Sequence, residues 1–464
     1  MTADRLRVAV CGGGVTGLTA AYRLLSAGAE VELFEGSQRL GGSVLTLRRD
    51  GFIFDGGPDA FVAAKPQVKE LAIELGLADE LVETQRESRG IYFLKDGALH
   101  RLPEGVVLAV PTKFWPLLSS PLFSLSGVAR MGLDLLLPKK VSDSDDESIS
   151  SFLKRRLGQE SVELFGEPLL AGIYSGDPSQ LSLKATFPQL VGLEKAHGSL
   201  VKGALAARAK APKGPAPSVF LSFRRGMAQL VETLETAVQN KGGRVHLGAA
   251  VTGLERDGAG FRVVSGSGTS DRFDHVVVAT PARSAAELFE PFDAEVARHL
   301  RRIPHVSTAA CHLAFKRDQV PHALDASGIL FMRSEGRDAS AITFMSTKWA
   351  GRAPSDTALF RVFFGGYAHP EVRTMSNADL LVAARKELRD VLRIEASPLA
   401  EEVFRWNDCR PQPVRGHLAR LEDVQRRLAA FGGLSLCGGP YDGVGLPDCV
   451  RQANSVVAKL LSGG

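Results

Sequence analysis

Gly12, Gly14 and Gly17 are spaced G-x-G-x-x-G, directly after the apolar run Leu6-Arg-Val-Ala-Val-Cys11 and directly before a stretch, Leu18 to Ala27, whose apolar residues recur at helical spacing. That order gives the triplet its meaning. The first glycine permits a tight turn, the second lets a backbone approach a pyrophosphate, the third lets helix and strand pack, and the helix N-terminus offers partial positive charge. Glu35 lies 23 residues beyond Gly12, near the ~20 at which an acid meets a ribose hydroxyl. Arg39, Gly41 and Gly42 follow it. The bland alternative, a glycine-rich turn beside solvated charges, is disfavoured by the strand before the triplet and the helix after it.

Other chemistries find little footing. The ten histidines form no HxxxH or HxH pair, and the five cysteines, at 11, 311, 409, 437 and 449, include no CxxC, so no metal site is expected and a reduced, cytoplasmic setting is. No G-x-S-x-G elbow and no compact acid/base constellation is present.

The elements that must position these residues are an α/β arrangement. Strand, glycine turn, helix and the strand Val31–Glu35 open a doubly wound fold. Similar texture returns at Arg244 to Ala279 and at Leu434 to Leu461, predicting a discontinuous Rossmann-type domain from residues 1–60, 240–285 and 430–464. Residues 61–104 and 286–429, with strands at Thr308–Phe315, Ile329–Met332, Ala341–Phe344 and Leu359–Phe364 and a helix at Ala378–Leu392, predict a mixed α+β substrate domain. Residues 105–239 predict an inserted helical lobe, with helices in Leu117–Leu137 and Ile149–Leu170, an acidic turn at Ser142–Ser148 and a loop at Ala206–Ser218.

At 464 residues the chain suits about three lobes on a prior of roughly 150 residues each. Apolar residues make up 44% and charged residues 23%, which excludes collagen-like, coiled-coil and wholly disordered classes. The net charge of +4 is spread along the chain and gives nucleic-acid binding no support. Val106 to Phe123 is interrupted by Pro111, Lys113, Pro116 and Pro121, so no transmembrane span is expected there, and a peripheral membrane contact stays open.

Arg39-Leu-Gly41-Gly42 after the ribose acid resembles the flavoprotein oxidase superfamily of amine oxidases, phytoene desaturases and porphyrinogen oxidases. Gly56-Gly-Pro-Asp-Ala-Phe61, Leu169-Leu-Ala-Gly-Ile-Tyr-Ser-Gly-Asp177 and Tyr441-Asp-Gly-Val-Gly-Leu-Pro-Asp-Cys449 are similar to the protoporphyrinogen and coproporphyrinogen oxidases, in the same order along nearly the whole chain. The resemblance implies noncovalent FAD and a six-electron oxidation of a porphyrinogen. Hydride would leave a meso carbon for flavin N5 without a catalytic side chain, and molecular oxygen would be reduced to hydrogen peroxide.

Carried over, it implies cofactor contacts from Gly12, Gly13, Gly14, Val15, Thr16, Gly17, Glu35, Arg39, Gly41, Gly42, Gly57, Pro58, Asp59, Val251, Trp406, Gly445, Leu446 and Pro447. Substrate contacts would come from Lys65, Gly172 and Arg89. For Val251 and Trp406, ordinary core packing competes with that role; for Lys65 and Arg89, a solvated charge does. Ile91 stands where many protoporphyrinogen oxidases carry an arginine, which with Lys65 favours coproporphyrinogen III over protoporphyrinogen IX. An amine oxidase, a carotenoid desaturase or a flavin-binding protein without turnover are the alternatives. Monomer and homodimer are equally compatible with the sequence.

Overall fold

The computed structural model describes residues 5–107, 109–140, 146–168, 173–210, 218–266 and 268–462. The Val-rich opening run forms the strand Arg7–Cys11 at the centre of a five-stranded parallel sheet. The strand order is Arg244–His246, Glu30–Phe34, Arg7–Cys11, His275–Val278, Leu434–Leu436. Val8 and Val10 pack into one core with helices Val15–Ser26, Ala228–Asn240 and Leu446–Leu461. Ala9 and Cys11 point the other way, into a core with helices Ala282–Phe289, Ala294–Arg301 and His417–Ala429. A strand covered on both faces has no polar side to show, which is why its sequence is an apolar run rather than an alternation.

A seven-stranded sheet forms the second layer, ordered Ala400–Pro411, His305–Lys316, Thr357–Gly365, Ala339–Phe344, Gly328–Phe331, Tyr92–Lys95, Ala98–Arg101. It is antiparallel except where Gly328–Phe331 runs parallel to Tyr92–Lys95. The helical region has its own core around Phe123, Phe152 and Phe165. It is pinned by a buried pair in which Arg156 Nε donates to Asp134 Oδ1 at 2.6 Å, while the other Asp134 oxygen accepts from Ser199 Oγ and from the Val201 amide at 2.9 Å. With its hydrogen bonds satisfied, such a pair fixes the geometry more than it adds stability.

Several expectations are corrected. Phe61–Val62 pairs with Phe220–Phe223, and Val68, Leu71, Leu230 and Leu234 join the core of the parallel sheet, so residues 61–80 and 220–240 pack there and not with the substrate and helical regions. Strands Val251–Asp257, Gly260–Ser265 and Gly268–Phe273 form a separate antiparallel sheet. The expected helix over Leu117–Leu137 is two pieces, Trp115–Leu118 and Leu125–Gly132, divided at Pro121, with Ser124 capping the second. Ile149–Leu157 stops at Gly158, whose φ of +95° ends a helix. The expected loop from Ala206 is helical to Lys210, within Leu200–Lys210. The rest of that loop to Pro217 and most of the acidic turn lie outside the described residues. The last helix starts at Leu446, where Pro447 suits a first turn. Among the described residues no helix is long and apolar enough to cross a membrane.

Candidate functional site

At the end of the first strand the chain turns through Gly12, at φ +107°, into the helix starting at Val15. A methyl group on Gly12 would stand 2.8 Å from the Ala279 carbonyl oxygen, one on Gly13 2.4 Å from Leu40 Cδ2, and one on Gly17 1.9 Å from the Gly12 carbonyl oxygen. On Gly14 it would meet nothing within 4 Å. Gly12 and Gly17 are thus required by backbone contacts, a side chain at Gly13 would have to displace Leu40, and Gly14 faces open space at a helix start.

Glu35 closes the turn from behind: its carboxylate accepts from the Gly13 amide at 2.7 Å and from the Ser37 amide at 2.8 Å. The Gly41 amide donates to the Gly13 carbonyl at 2.8 Å, laying Gly41 and Gly42 beside Gly14. The Arg39 guanidinium binds the carbonyls of Leu40, Gly42 and Val44, so it shapes this loop directly. The Ala249 amide donates to the Glu35 carbonyl at 2.8 Å, which brings the start of the Val251 strand to the same corner.

A second helix begins here. Gly445 caps Leu446–Leu461, as Gly14 caps Val15–Ser26, and neither cap residue has a side chain to satisfy the free amides. Both helices follow strands of the parallel sheet and share one core, and Thr16 lies within hydrogen-bonding reach of Cys449. Two uncapped N-termini at the carboxyl ends of parallel strands suit a diphosphate. Beside Gly12, the buried Thr280 Oγ1 has no hydrogen-bond partner among the described residues. Open space at Gly14, free amides and an orphaned hydroxyl together fit a dinucleotide.

The other end of the site is the Gly56–Asp59 turn, seated against the seven-stranded sheet. The Trp406 indole donates to the Gly56 carbonyl at 2.8 Å, and Arg361 donates to the Gly57 carbonyl at 2.6 Å. A methyl group on Gly57 would lie 1.7 Å from the Ser43 carbonyl oxygen, so the turn admits only glycine there. Asp59, just past Pro58, receives Lys348 Nζ at 2.6 Å and Trp349 Nε1 at 2.9 Å, with Arg361 at 3.7 Å. Burial alone would raise its pKa, but Lys348 and Arg361 outweigh it and hold the carboxyl far below the usual range.

The substrate residues fare unevenly. Lys65 Nζ bridges both oxygens of Asp448 at 2.7 Å, in the first turn of the last helix, and so stands beside Gly445–Pro447. Arg89 pairs with Glu83 at 3.0 Å, and its carbonyl accepts from Arg101 on the edge strand of the seven-stranded sheet. Gly172 lies outside the described residues. Lys348, Trp349, Arg361 and Arg410 lie outside the sequence-based expectation; single charged or aromatic residues in strands and short helices carry no local signal. Ser175, Asp177, Arg333, Ser340 and Tyr367 line a cavity of about 280 Å³ between the helical region and this sheet.

The sequence pattern of the flavin containing amine oxidoreductase family matches residues 15–461. The chain is similar to coproporphyrinogen III oxidase of Bacillus subtilis strain 168, with 33% identity over 476 residues covering 100% of this chain and 99% of that protein. It is also similar to chloroplastic protoporphyrinogen oxidase 1 of Arabidopsis thaliana, 29% identical over 96% of this chain and 86% of the other. A solved structure from Exiguobacterium sp. 255-15, provisionally named a protoporphyrinogen oxidase, superposes with TM-score 0.88 at 29% identity and covers 100% of both chains. A cradle for a dinucleotide joined to a charged turn at a second sheet, matched over the whole length, places the chain: it belongs to the flavin containing amine oxidoreductase family, among the porphyrinogen oxidases.

Proposed function

We propose that the protein oxidises coproporphyrinogen III to coproporphyrin III with noncovalent FAD, passing electrons to molecular oxygen. The observation that carries the reading is end-to-end similarity to coproporphyrinogen III oxidases, joined to a glycine turn whose one open position is Gly14. Gly12 to Gly17 and Gly445 to Pro447 would hold the pyrophosphate, Glu35 the ribose side, Val251 the nucleotide corner, and Gly57, Pro58, Asp59 and Trp406 the ring end. Bound there, the flavin supplies acceptance of electron pairs, so that six electrons and six protons leave one porphyrinogen and three oxygen molecules become three of hydrogen peroxide.

The protein's own share is positioning. Asp59, held ionised between Lys348 and Arg361, locks the Gly56–Asp59 turn against the sheet and keeps a fixed polar environment where water would reorganise. Pyrrole protons would pass to solvent without a dedicated base. Five unpaired cysteines suit a reducing cytoplasm. Protoporphyrinogen IX is the second reading, favoured by the plant relative. Anaerobic mixing with each porphyrinogen tests both. Coproporphyrinogen III should bleach the flavin absorbance fastest and give the higher kcat/KM; equal or reversed rates would move the assignment to protoporphyrinogen IX, and bleaching by amines alone would end it.

A further inference from the structure

Two cations gather around one carboxylate at the ring end of the site, and a third lies within electrostatic range of them. Lys348 and Arg361 both face Asp59, and Arg361 lies over the Phe363 ring with its guanidinium carbon 4.4 Å from the centroid and its Nε buried without a partner. Arg410 is the third. Burial, together with repulsion from Arg361, brings its pKa down to about 10. Among the described residues its guanidinium makes one hydrogen bond, from Nη1 to the Ile173 carbonyl at 2.6 Å, and no carboxylate lies within ion-pair distance of it. Arg410 is only partly exposed, and a guanidinium held there without a counter-charge suits an anion that arrives in the working complex.

The surroundings place that anion. Arg410 is on Ala400–Pro411, the strand that also carries Phe404, in van der Waals range of Gly56, and Trp406. The loop it holds is fastened twice more, by Gln412 Nε2 to the Tyr174 carbonyl at 2.8 Å and by the Tyr367 amide to the Ser175 carbonyl at 2.8 Å. The guanidinium therefore sits at a rigid junction of the helical region and the sheet, in electrostatic contact with the Asp59 cluster. We propose that Arg410, backed by Arg361, is the specificity-determining residue that takes one carboxylate of the porphyrinogen. The proposal rests on the porphyrinogen reading above. A guanidinium with one donor committed to Ile173 keeps an edge for a bidentate carboxylate.

The test uses flavin-loaded wild type, Arg410→Gln and Arg410→Lys, titrated with coproporphyrin III and with its tetramethyl ester. Arg410→Gln should weaken the tetra-acid by about tenfold or more, as loss of a charged hydrogen bond does. Arg410→Lys should recover part of this, the ester should bind all three proteins alike, and the flavin spectrum should persist. Unchanged binding of the acid to Arg410→Gln, an equal loss for acid and ester, or loss of flavin would each overturn the assignment. Wild type that binds neither porphyrin would instead remove the porphyrinogen reading itself.

Discussion

The two ends of the candidate site are built by different means. At the glycine turn the decisive contacts join residues close in sequence: Gly13 to Glu35, 22 positions apart, and Gly41 to Gly13. At the Asp59 end they join residues 289, 290 and 350 positions apart, through Lys348, Trp349 and Trp406. The first end is main chain shaped by absent side chains. The second is side chains that meet only when two sheets are docked.

Glycine substitutions separate packing from ligand space within the first end, and carry the largest effect. Gly17→Val would force carbon against the Gly12 carbonyl, where a methyl already stands 1.9 Å away. No rotamer change relieves a backbone clash, so a cost of about 3 kcal/mol or more is expected, read as a large fall in Tm or no soluble protein. Gly14→Val enters open space and should leave the stability within about 1 kcal/mol of wild type while the purified protein is colourless. A yellow, fully loaded Gly14→Val protein would show that the space is not the diphosphate's.

Asp59→Asn breaks the second end. Lys348 and Asp59 are 13% and 17% exposed, and removing one charge leaves Lys348 and Arg361 uncompensated, at a cost of about 3–5 kcal/mol by chemical denaturation. Lys348→Met should cost less, because Asp59 keeps Trp349 and Arg361. Equal losses would mean that the cluster is not organised around the carboxylate.

Acid sharpens the contrast further. His275 begins a strand of the parallel sheet and His417 begins a helix on its second face, and burial lowers both to about pH 4. A histidine whose folded pKa is depressed contributes stability that is complete above its unfolded value, near 6.5, and is lost as pH falls toward 4. Each should add a slope of up to about 1.4 kcal/mol per pH unit in that window. The depressed Asp59 carboxyl contributes stability that is complete above its unfolded value near 3.8 and lost only below it. Denaturation midpoints from pH 7 to 3 should therefore fall in two stages, the upper flattened in His275→Asn and His417→Asn. A single stage untouched by either substitution would refute the separation.

The same contrast decides what the sequence could reveal. The glycine triplet, Glu35 and the parallel strands are legible because each is a local pattern with one physical use. The strand Ala400–Pro411 is 12 residues long and pairs along nearly its whole length with His305–Lys316, yet it reads Ala-Glu-Glu-Val-Phe-Arg-Trp-Asn-Asp-Cys-Arg-Pro, without clean alternation. Its charges make sense only beside Arg385 and the Ile173 loop. Residues 61–80 are hard to place from sequence for a similar reason: amphipathic helix Gln67–Glu74 shows that it has an apolar face, not which core receives it.

Lys65 sits where the two ends meet, and its effect on stability should be the smallest. Its side chain is 50% exposed, against 15% for Asp448, so the ion pair contributes at most about 1 kcal/mol and Lys65→Ala should barely move Tm. Its effect on substrate is another matter. If Lys65 meets a porphyrinogen carboxylate it must first leave Asp448, which holds it at 2.7 Å through both oxygens. Lys65→Ala should then raise KM for coproporphyrinogen III with kcat little altered, as loss of uniform binding does. Asp448→Asn, which frees the lysine, should lower KM. Were both substitutions to raise KM equally, the pair itself would be the functional unit, acting as a strut at the start of the last helix, and the carboxylate would be met by Arg410 alone.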